Sequence, residues 1–187
     1  MKHNKNVIHI FGAAGSGTTT LGRMISERLG YKHMDTDDYY WLPTEPHFTE
    51  KRAVEERIAL MKYDTEKYEN VVISGSLADW GDVLIPYFTL AVRITLDTDI
   101  RIERIKSREK LRFGARIEPG GDMYIQHLDF LEWTKLYDTG DLNMRSKAKH
   151  DQWQKLLPCP ILHLDGSGPK EVKLQKVLQL LEKQKSI

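Results

Sequence analysis

The chain has 187 residues, 40% of them hydrophobic and 29% charged, proportions suited to a globular fold with a substantial core. Its 28 Lys and Arg against 27 Asp and Glu leave a net charge of +1, which excludes a global drive toward nucleic acid or anionic membrane and confines any anion site to a local patch. A single cysteine, Cys159, excludes an internal disulfide and suits a reducing cytoplasm; set between two prolines before an apolar run, it reads as a buried structural thiol. The N-terminal MKHNKNVIHIFG has too short an apolar run for a signal peptide, and no stretch approaches the roughly 20 apolar residues of a membrane span. The expectation is a cytoplasmic domain spanning 1–187, with unknown oligomeric state.

Val7 to Phe11 is a short apolar run ending at Gly12, the pattern of a buried strand. A turn rich in Gly, Ser and Thr follows. Leu21, Met24, Ile25 and Leu29 then fall at helical spacing, with Gly30 as the stop. Tyr31 to Met34 reads as a second strand running into Asp35-Thr36-Asp37-Asp38. Residues 41–48 carry two prolines and read as a loop, and Val54, Ile58 and Met61 mark a helix from about residue 50 to 68. Val71 to Gly75 is the third strand, 76–87 is irregular or briefly helical, and 88–96 is the fourth strand. Asp97-Thr98-Asp99 caps a helix reaching about Leu111. After a loop over 113–121, Asp122 caps a helix ending near Asp138, and 145–157 forms another. Ile161 to Leu164 is the fifth strand; Leu174, Val177, Leu178 and Leu181 stripe the last helix. Strands alternating with helices predict an α/β fold with a parallel sheet covered on both faces, whose ligands bind beyond the carboxyl ends of the strands.

The loop after the first strand carries the chemistry. Gly12, Gly17 and Thr19 fit the spacing of the P-loop, G-x-x-x-x-G-K-[ST], between a strand and a helix. Its glycines let successive N–H groups turn inward on an anion, and the following helix adds orphan donors and a positive dipole end. Gly12, Ala14, Gly15, Ser16, Gly17, Thr18, Thr19 and Thr20 are the expected nucleotide contacts, with the Thr19 hydroxyl on Mg²⁺. The lysine of the pattern is Thr18 here. Losing that charge-assisted contact costs about 1.5–3 kcal/mol in binding, and a rate factor of roughly 10²–10³ if it acts on transition-state charge. Arg101, Arg104, Arg108 and Arg112 are spaced three, four and four apart, which puts all of them on one helical stripe able to meet phosphates. The stripe also reads as a solvated basic face, partly paired with Glu103 and Glu109.

In the acidic cluster, Asp37 is the expected base toward an acceptor and Asp35 the expected partner of Mg²⁺, while Asp37 or Asp38 equally reads as a helix cap. Gly75, between Ser74 and Ser76, permits close approach of an acceptor or simply makes a tight turn. Arg57 pairs with an anionic acceptor or lies exposed in solvent. Tyr39, Tyr40 and Trp41 line an acceptor pocket or belong to the core, and His127 and His163, each in an apolar setting with no ligand partner at metal spacing, are structural. Glu118-Pro119-Gly120-Gly121 is a hinge-capable turn.

Together, Gly12-AAGSG-Thr18-Thr19, the DTDD after the second strand, Ser74-Gly75-Ser76 and the arginines from Arg101 to Arg116 resemble the P-loop small-molecule kinases, the group of adenylate kinase and shikimate kinase. The resemblance runs through the chain in element order and implies a three-layer α/β/α fold with a five-stranded parallel sheet of order 2-3-1-4-5. It implies a lid over 110–122 bringing Arg112 and Arg116 onto the transferred phosphate, and an acceptor-binding region over 38–68. Asp35 and Asp37 look like the paired aspartates of the shikimate kinase type, implying a hydroxyl acceptor; the nucleotide-acceptor branch relies on arginines, for which Arg52 and Arg57 are the candidates. The leading expectation is a phosphotransferase using ATP and Mg²⁺ on a small metabolite or nucleotide. A nucleotide-binding regulatory module without transfer, which Thr18 motivates, and a nucleotidase are the alternatives.

Overall fold

The structure, a computed structural model, describes residues 5–185. Five strands, β1 (Val7–Gly12), β2 (Lys32–Asp35), β3 (Val71–Ser74), β4 (Leu90–Thr95) and β5 (Ile161–Asp165), form one wholly parallel sheet in the order β2-β3-β1-β4-β5. The order predicted from the resemblance is the one observed.

Alternation along β1 sets the two faces. Val7, His9 and Phe11 point one way, where Met34, Met61, Ile73, Leu84, Phe88 and Trp153 complete an aromatic-rich core. Ile8 and Ile10 point the other way, against Leu21, Ile25, Val92, Leu164, Val177 and Leu181. The second face is covered by α1 (Thr18–Leu29) and α7 (Lys170–Lys185), the first by α3 (Val54–Lys67) and α6 (Lys147–Trp153). Three layers follow, because a sheet apolar on both faces must be covered twice. His9 is enclosed between the Phe11 and Phe88 rings, and burial pushes its pKa down to about 3, so it serves the core as a neutral ring.

Several boundaries depart from the sequence reading for identifiable reasons. A five-residue helix, α2 (Thr36–Tyr40), follows β2, and its N-cap is Asp35, whose Oδ1 accepts from Asp37 N at 3.1 Å. The cap is thus Asp35 and neither Asp37 nor Asp38. The helix expected from residue 50 starts at Val54, since Leu42 N donates to Glu50 O and Trp41 bridges Lys51, which keeps 41–53 a closed loop. The long helix α4 (Thr98–Phe113) is capped by Asp97 as expected and runs two residues further than Leu111. Asp122 caps nothing: its carboxylate pairs with Arg116 at 2.6 and 2.9 Å, and α5 (Tyr124–Lys135) starts without a side-chain cap. Cys159 is half-buried against the aromatic core, and burial raises its thiol pKa.

The register brings the carboxyl ends level: Asp35 sits beside Ser74, Ser74 beside Ile10, and Gly12 beside Ile94. Each chemistry-bearing segment of the sequence therefore leaves the sheet at one edge. Gly75 closes that edge. It holds φ 115°, and a Cβ there would overlap Thr36, the first residue of α2. The close approach at Gly75 is thus to the chain's own Thr36 and requires no ligand to explain it. Gly75→Ala is expected to cost about 1–3 kcal/mol through strain and displacement of Thr36, read as a lower Tm in thermal denaturation. An unchanged Tm would show that the β2–α2 turn yields freely.

Candidate functional site

The P-loop lies between β1 and α1. Gly15 and Gly17 have φ 79° and 102°, and a Cβ on Gly15 would stand 2.7 Å from the Arg101 carbonyl oxygen, so only glycine passes between the loop and α4. Gly17 caps α1 without a side chain, no acidic residue occupies the first turn, and the first helical bond runs from Leu21 N to Gly17 O at 3.0 Å. The N–H groups of Thr18, Thr19 and Thr20 therefore find no acceptor within the helix. Ser16 Oγ is fully enclosed and has no partner among the described residues. An orphaned hydroxyl and a turn of free amide donors at a dipole's positive end make a cradle fitted to phosphate oxygens. Thr18 and Thr19 stand half-exposed at its rim.

Across β3, Asp37 lies in the first turn of α2, just past the end of β2. Its carboxylate is reachable by solvent, but protein crowds it on enough sides that desolvation raises its pKa, and the Asp35 charge raises it further; Arg145 and then Arg108 offset part of the rise. Asp35 is spent partly on capping α2, leaving its second carboxylate oxygen available.

The arginine stripe divides. Arg101 is wholly buried: Nε donates to Leu96 O at 3.0 Å, Nη1 to Thr134 O at 3.4 Å, and Nη2 to Thr98 Oγ1 at 2.6 Å and Asp138 Oδ2 at 2.8 Å. Its task is to fasten α4 to α5. Arg104 is exposed and donates to Gly166 O at 3.2 Å, in the loop after β5; that loop packs on the P-loop, since a Gly166 Cβ would lie 3.0 Å from Ser16 O. Lys173 fixes the same loop through the carbonyls of Gly166 and Gly168. Arg108 is exposed, with a loose 3.4 Å contact to Glu109, and its charge reaches Asp37. Arg112 packs over the Phe48 and Phe113 rings at 5.0 and 5.1 Å, and Arg116 is engaged by Glu45 at 2.5 Å and by Asp122. Neither donates to the P-loop; instead both tie 110–122 to the loop over 41–53, where Gln126 also donates to the His47 and Phe48 carbonyls.

Arg57 is corrected from the exposed alternative: 6% accessible, it stacks on Tyr40 at 3.8 Å and faces Trp80 at 5.6 Å, with Nε donating to Arg52 O at 2.7 Å. Tyr39 belongs to the core and bonds Asp64 at 2.7 Å, whereas Tyr40 and Trp41 are part-open. His127 is structural but not apolar in its contacts, with Nδ1 at 2.5 Å from Glu109 Oε2; His163, expected in an apolar setting, is exposed.

Three side chains were not singled out in the sequence. Arg93, 3% exposed within β4, pairs with Asp151 at 2.5 Å; a charge inside the run Leu90-Ala-Val-Arg-Ile was the available signal. His150 accepts or donates between Ser76 Oγ at 3.0 Å and Tyr137 OH at 2.8 Å, and burial pushes its pKa to about 3, keeping it a neutral relay that pins α6 to the end of β3. Arg145, just before α6, has its guanidinium 4.6 Å from the Trp133 ring and its Nε enclosed without a partner. Nothing local in the sequence marks it.

Comparison with known proteins agrees with this geometry. The family model described as an AAA domain (AAA_18) matches residues 8–116, which contain the P-loop, the acidic cluster and α4. The uncharacterized protein YqaC of Bacillus subtilis (strain 168) is 42% identical over 177 residues, covering 95% of this chain and 98% of that one. A cytidylate kinase of Pyrococcus horikoshii is 32% identical over 124 residues, 58% of this chain and 60% of that protein. Shikimate kinase from Acinetobacter baumannii, solved with shikimate, shares the fold at TM-score 0.57 and 20% identity over 97% of this chain and 95% of that one. No helix among the described residues is long and apolar enough to cross a membrane. With the loop and the strand order both in place, the chain belongs to the AAA-domain family of P-loop proteins and has the fold of the P-loop kinase group.

Proposed function

We propose that the protein is a phosphotransferase that moves the γ-phosphoryl group of Mg·ATP to a small metabolite or nucleotide. The observation that carries this reading is a phosphate cradle with free amide donors sharing one sheet edge with an aspartate of raised pKa. The residues fit the nucleotide: the amides of Thr18 to Thr20 and Ser16 Oγ take β- and γ-phosphate oxygens, and the loop after β5 with Arg104 forms a wall beside the P-loop for the base. Among the described residues no group of three metal-ligating side chains stands ready. That suits Mg²⁺, which is commonly held by one or two protein oxygens and by the phosphates themselves. Thr19 and Asp35 are its proposed partners. When bound, the ion would supply positive charge that offsets the charge building on the leaving group.

Asp37 accepts the proton of the acceptor hydroxyl or phosphate. The acceptor oxygen bonds to the γ-phosphorus as the bond to the β–γ bridging oxygen breaks, and that electron pair leaves with ADP. The acceptor enters between α2, the 41–53 loop and α3, where Tyr40, Trp41 and the stacked Arg57 stand. Residues 38–68 are thus the proposed acceptor region and 110–122 the lid, with Arg112 and Arg116 released from Phe48 and Glu45 to act on the phosphate.

ADP formation from Mg·ATP is the direct test, run with and without pooled nucleoside monophosphates, nucleosides and hydroxylated metabolites. Acceptor-dependent ADP is expected, and subdividing the pool then names the acceptor. Tight nucleotide binding with no acceptor-dependent ADP would favour the second reading, a regulatory module, which the absence of a lysine at Thr18 supports. ADP release at the same rate without acceptor would favour a nucleotidase.

A further inference from the structure

We propose that Arg145 supplies to the γ-phosphoryl group the positive charge that Thr18 does not. This rests on the phosphotransfer reading above. The P-loop pattern places a lysine where this chain has Thr18, and a hydroxyl can donate one hydrogen bond but brings no charge. The arginines that the sequence offers as replacements do not stand ready in the cradle: Arg101 is inside the α4–α5 contact, Arg104 is on Gly166, and Arg112 and Arg116 reach the phosphate only once 110–122 leaves Phe48 and Glu45. Arg108 is exposed and already leans on Glu109.

Arg145 differs from all of these. It makes no hydrogen bond or ion pair among the described residues, and its Nε is sealed from solvent. A guanidinium does not lose its proton in a protein, and a sheltered cation with empty donors is costly until an anion meets it. The guanidinium lies over the Trp133 ring, 4.6 Å from its centroid. With no hydrogen bond to occupy it, its planar fork can take two oxygens of one phosphate.

Its surroundings point to the nucleotide site. Asp37 is the foremost opposite charge acting on Arg145. Tyr137, which bonds His150 of the helix that follows Arg145, lies 5.1 Å from the guanidinium of Arg101, whose carbonyl oxygen lies under Gly15. α6 begins two residues after Arg145 and lays His150 edge-on against Phe11, the residue before Gly12. α6 thus starts at the carboxyl edge of the sheet, where His150 also bonds Ser76 just past β3, and Arg145 stands at that edge within reach of the Asp37 charge. It forms and breaks no covalent bond; it donates to the nonbridging oxygens as charge spreads over them.

The test compares binding of Mg·ADP with that of a non-hydrolysable Mg·ATP analogue, by calorimetry, in the unmodified protein, Arg145→Gln, Arg145→Lys, Thr18→Lys and the double variant Thr18→Lys/Arg145→Gln. In Arg145→Gln, analogue affinity is expected to fall roughly ten- to a hundredfold, the worth of a charge-assisted contact, while ADP affinity stays within about threefold. Arg145→Lys should recover part of the loss. The double variant should regain most of it, a gain that misfolding cannot produce. Equal losses for both nucleotides, an unchanged ratio in a folded Arg145→Gln protein, or no rescue by Thr18→Lys would overturn the assignment while leaving the phosphotransfer reading standing. An unmodified protein that binds neither nucleotide would overturn both.

Discussion

Asp37→Asn is expected to lower kcat by about 10²–10⁴-fold, the usual contribution of a positioned base, with little change in nucleotide affinity. Asparagine keeps the size of the side chain and loses only the ability to take the acceptor's proton. The pH dependence gives an independent check. Asp37 works ionised, and desolvation by the surrounding protein together with the Asp35 charge holds its pKa above the ordinary carboxylate value. The rate should therefore be full at neutral pH and fall once the pH is low enough to protonate Asp37. Stability should move the opposite way. A carboxyl whose folded pKa is raised contributes stability that is complete below its unfolded pKa and is lost as pH rises through the folded one. At pH 7 the ionised Asp37 is thus a small liability to the fold, so the inactive variant should melt slightly higher than the unmodified protein. The difference should close as the pH is lowered toward the ordinary carboxylate range. An Asp37→Asn protein that turns over normally would remove the base assignment, and one that melts markedly lower would give Asp37 a structural role.

How much of this was legible in the sequence depends on how local each signal is. The P-loop, its flanking strand and helix and the capped start of α4 are written in consecutive residues, where spacing alone fixes the backbone, and all were recovered. The DTDD segment was found as a cluster, but the division of labour within it was not: the cap fell to Asp35 because it ends β2 with extended dihedrals, leaving Asp37 free in the first turn. The arginine stripe shows where periodicity stops being informative. The 3.6-residue repeat does place Arg101, Arg104, Arg108 and Arg112 on one side of a helix. What it cannot give is the path of the neighbouring segment, which covers only the first turn, so Arg101 is entombed while the other three face outward. Arg145 and His150 were invisible for the same reason. Their meaning comes from partners far away in sequence, Asp37 for one and Ser76 for the other.

Arg101 carries the largest expected effect on the fold. Arg101→Met fills much of the same volume but removes donors to two backbone carbonyls, Leu96 O and Thr134 O, as well as to Thr98 and Asp138. The Leu96 carbonyl is the costly part. Thr134 O still accepts from Tyr137 N at 3.3 Å, but Leu96 O loses its donor at about 1–3 kcal/mol, whereas Asp138, 42% exposed, can return to water. A net loss of about 2 kcal/mol follows, which for a chain of this size lowers Tm by roughly 4–8 °C. Asp138→Asn should cost under about 1 kcal/mol, since it removes only a solvent-reachable partner and keeps an acceptor oxygen. The two variants thus separate the value of the ion pair from that of the backbone bonds. Should Asp138→Asn prove as damaging as Arg101→Met, charge pairing would be the dominant force at this junction. The same substitution reaches the nucleotide site, because Gly15 of the P-loop rests against the Arg101 carbonyl. A loosened first turn of α4 lets that support shift, so Arg101→Met is also expected to weaken Mg·ADP binding measured well below its Tm. Arg145→Gln should not, and that contrast distinguishes an arginine that builds the cradle from one that faces its contents.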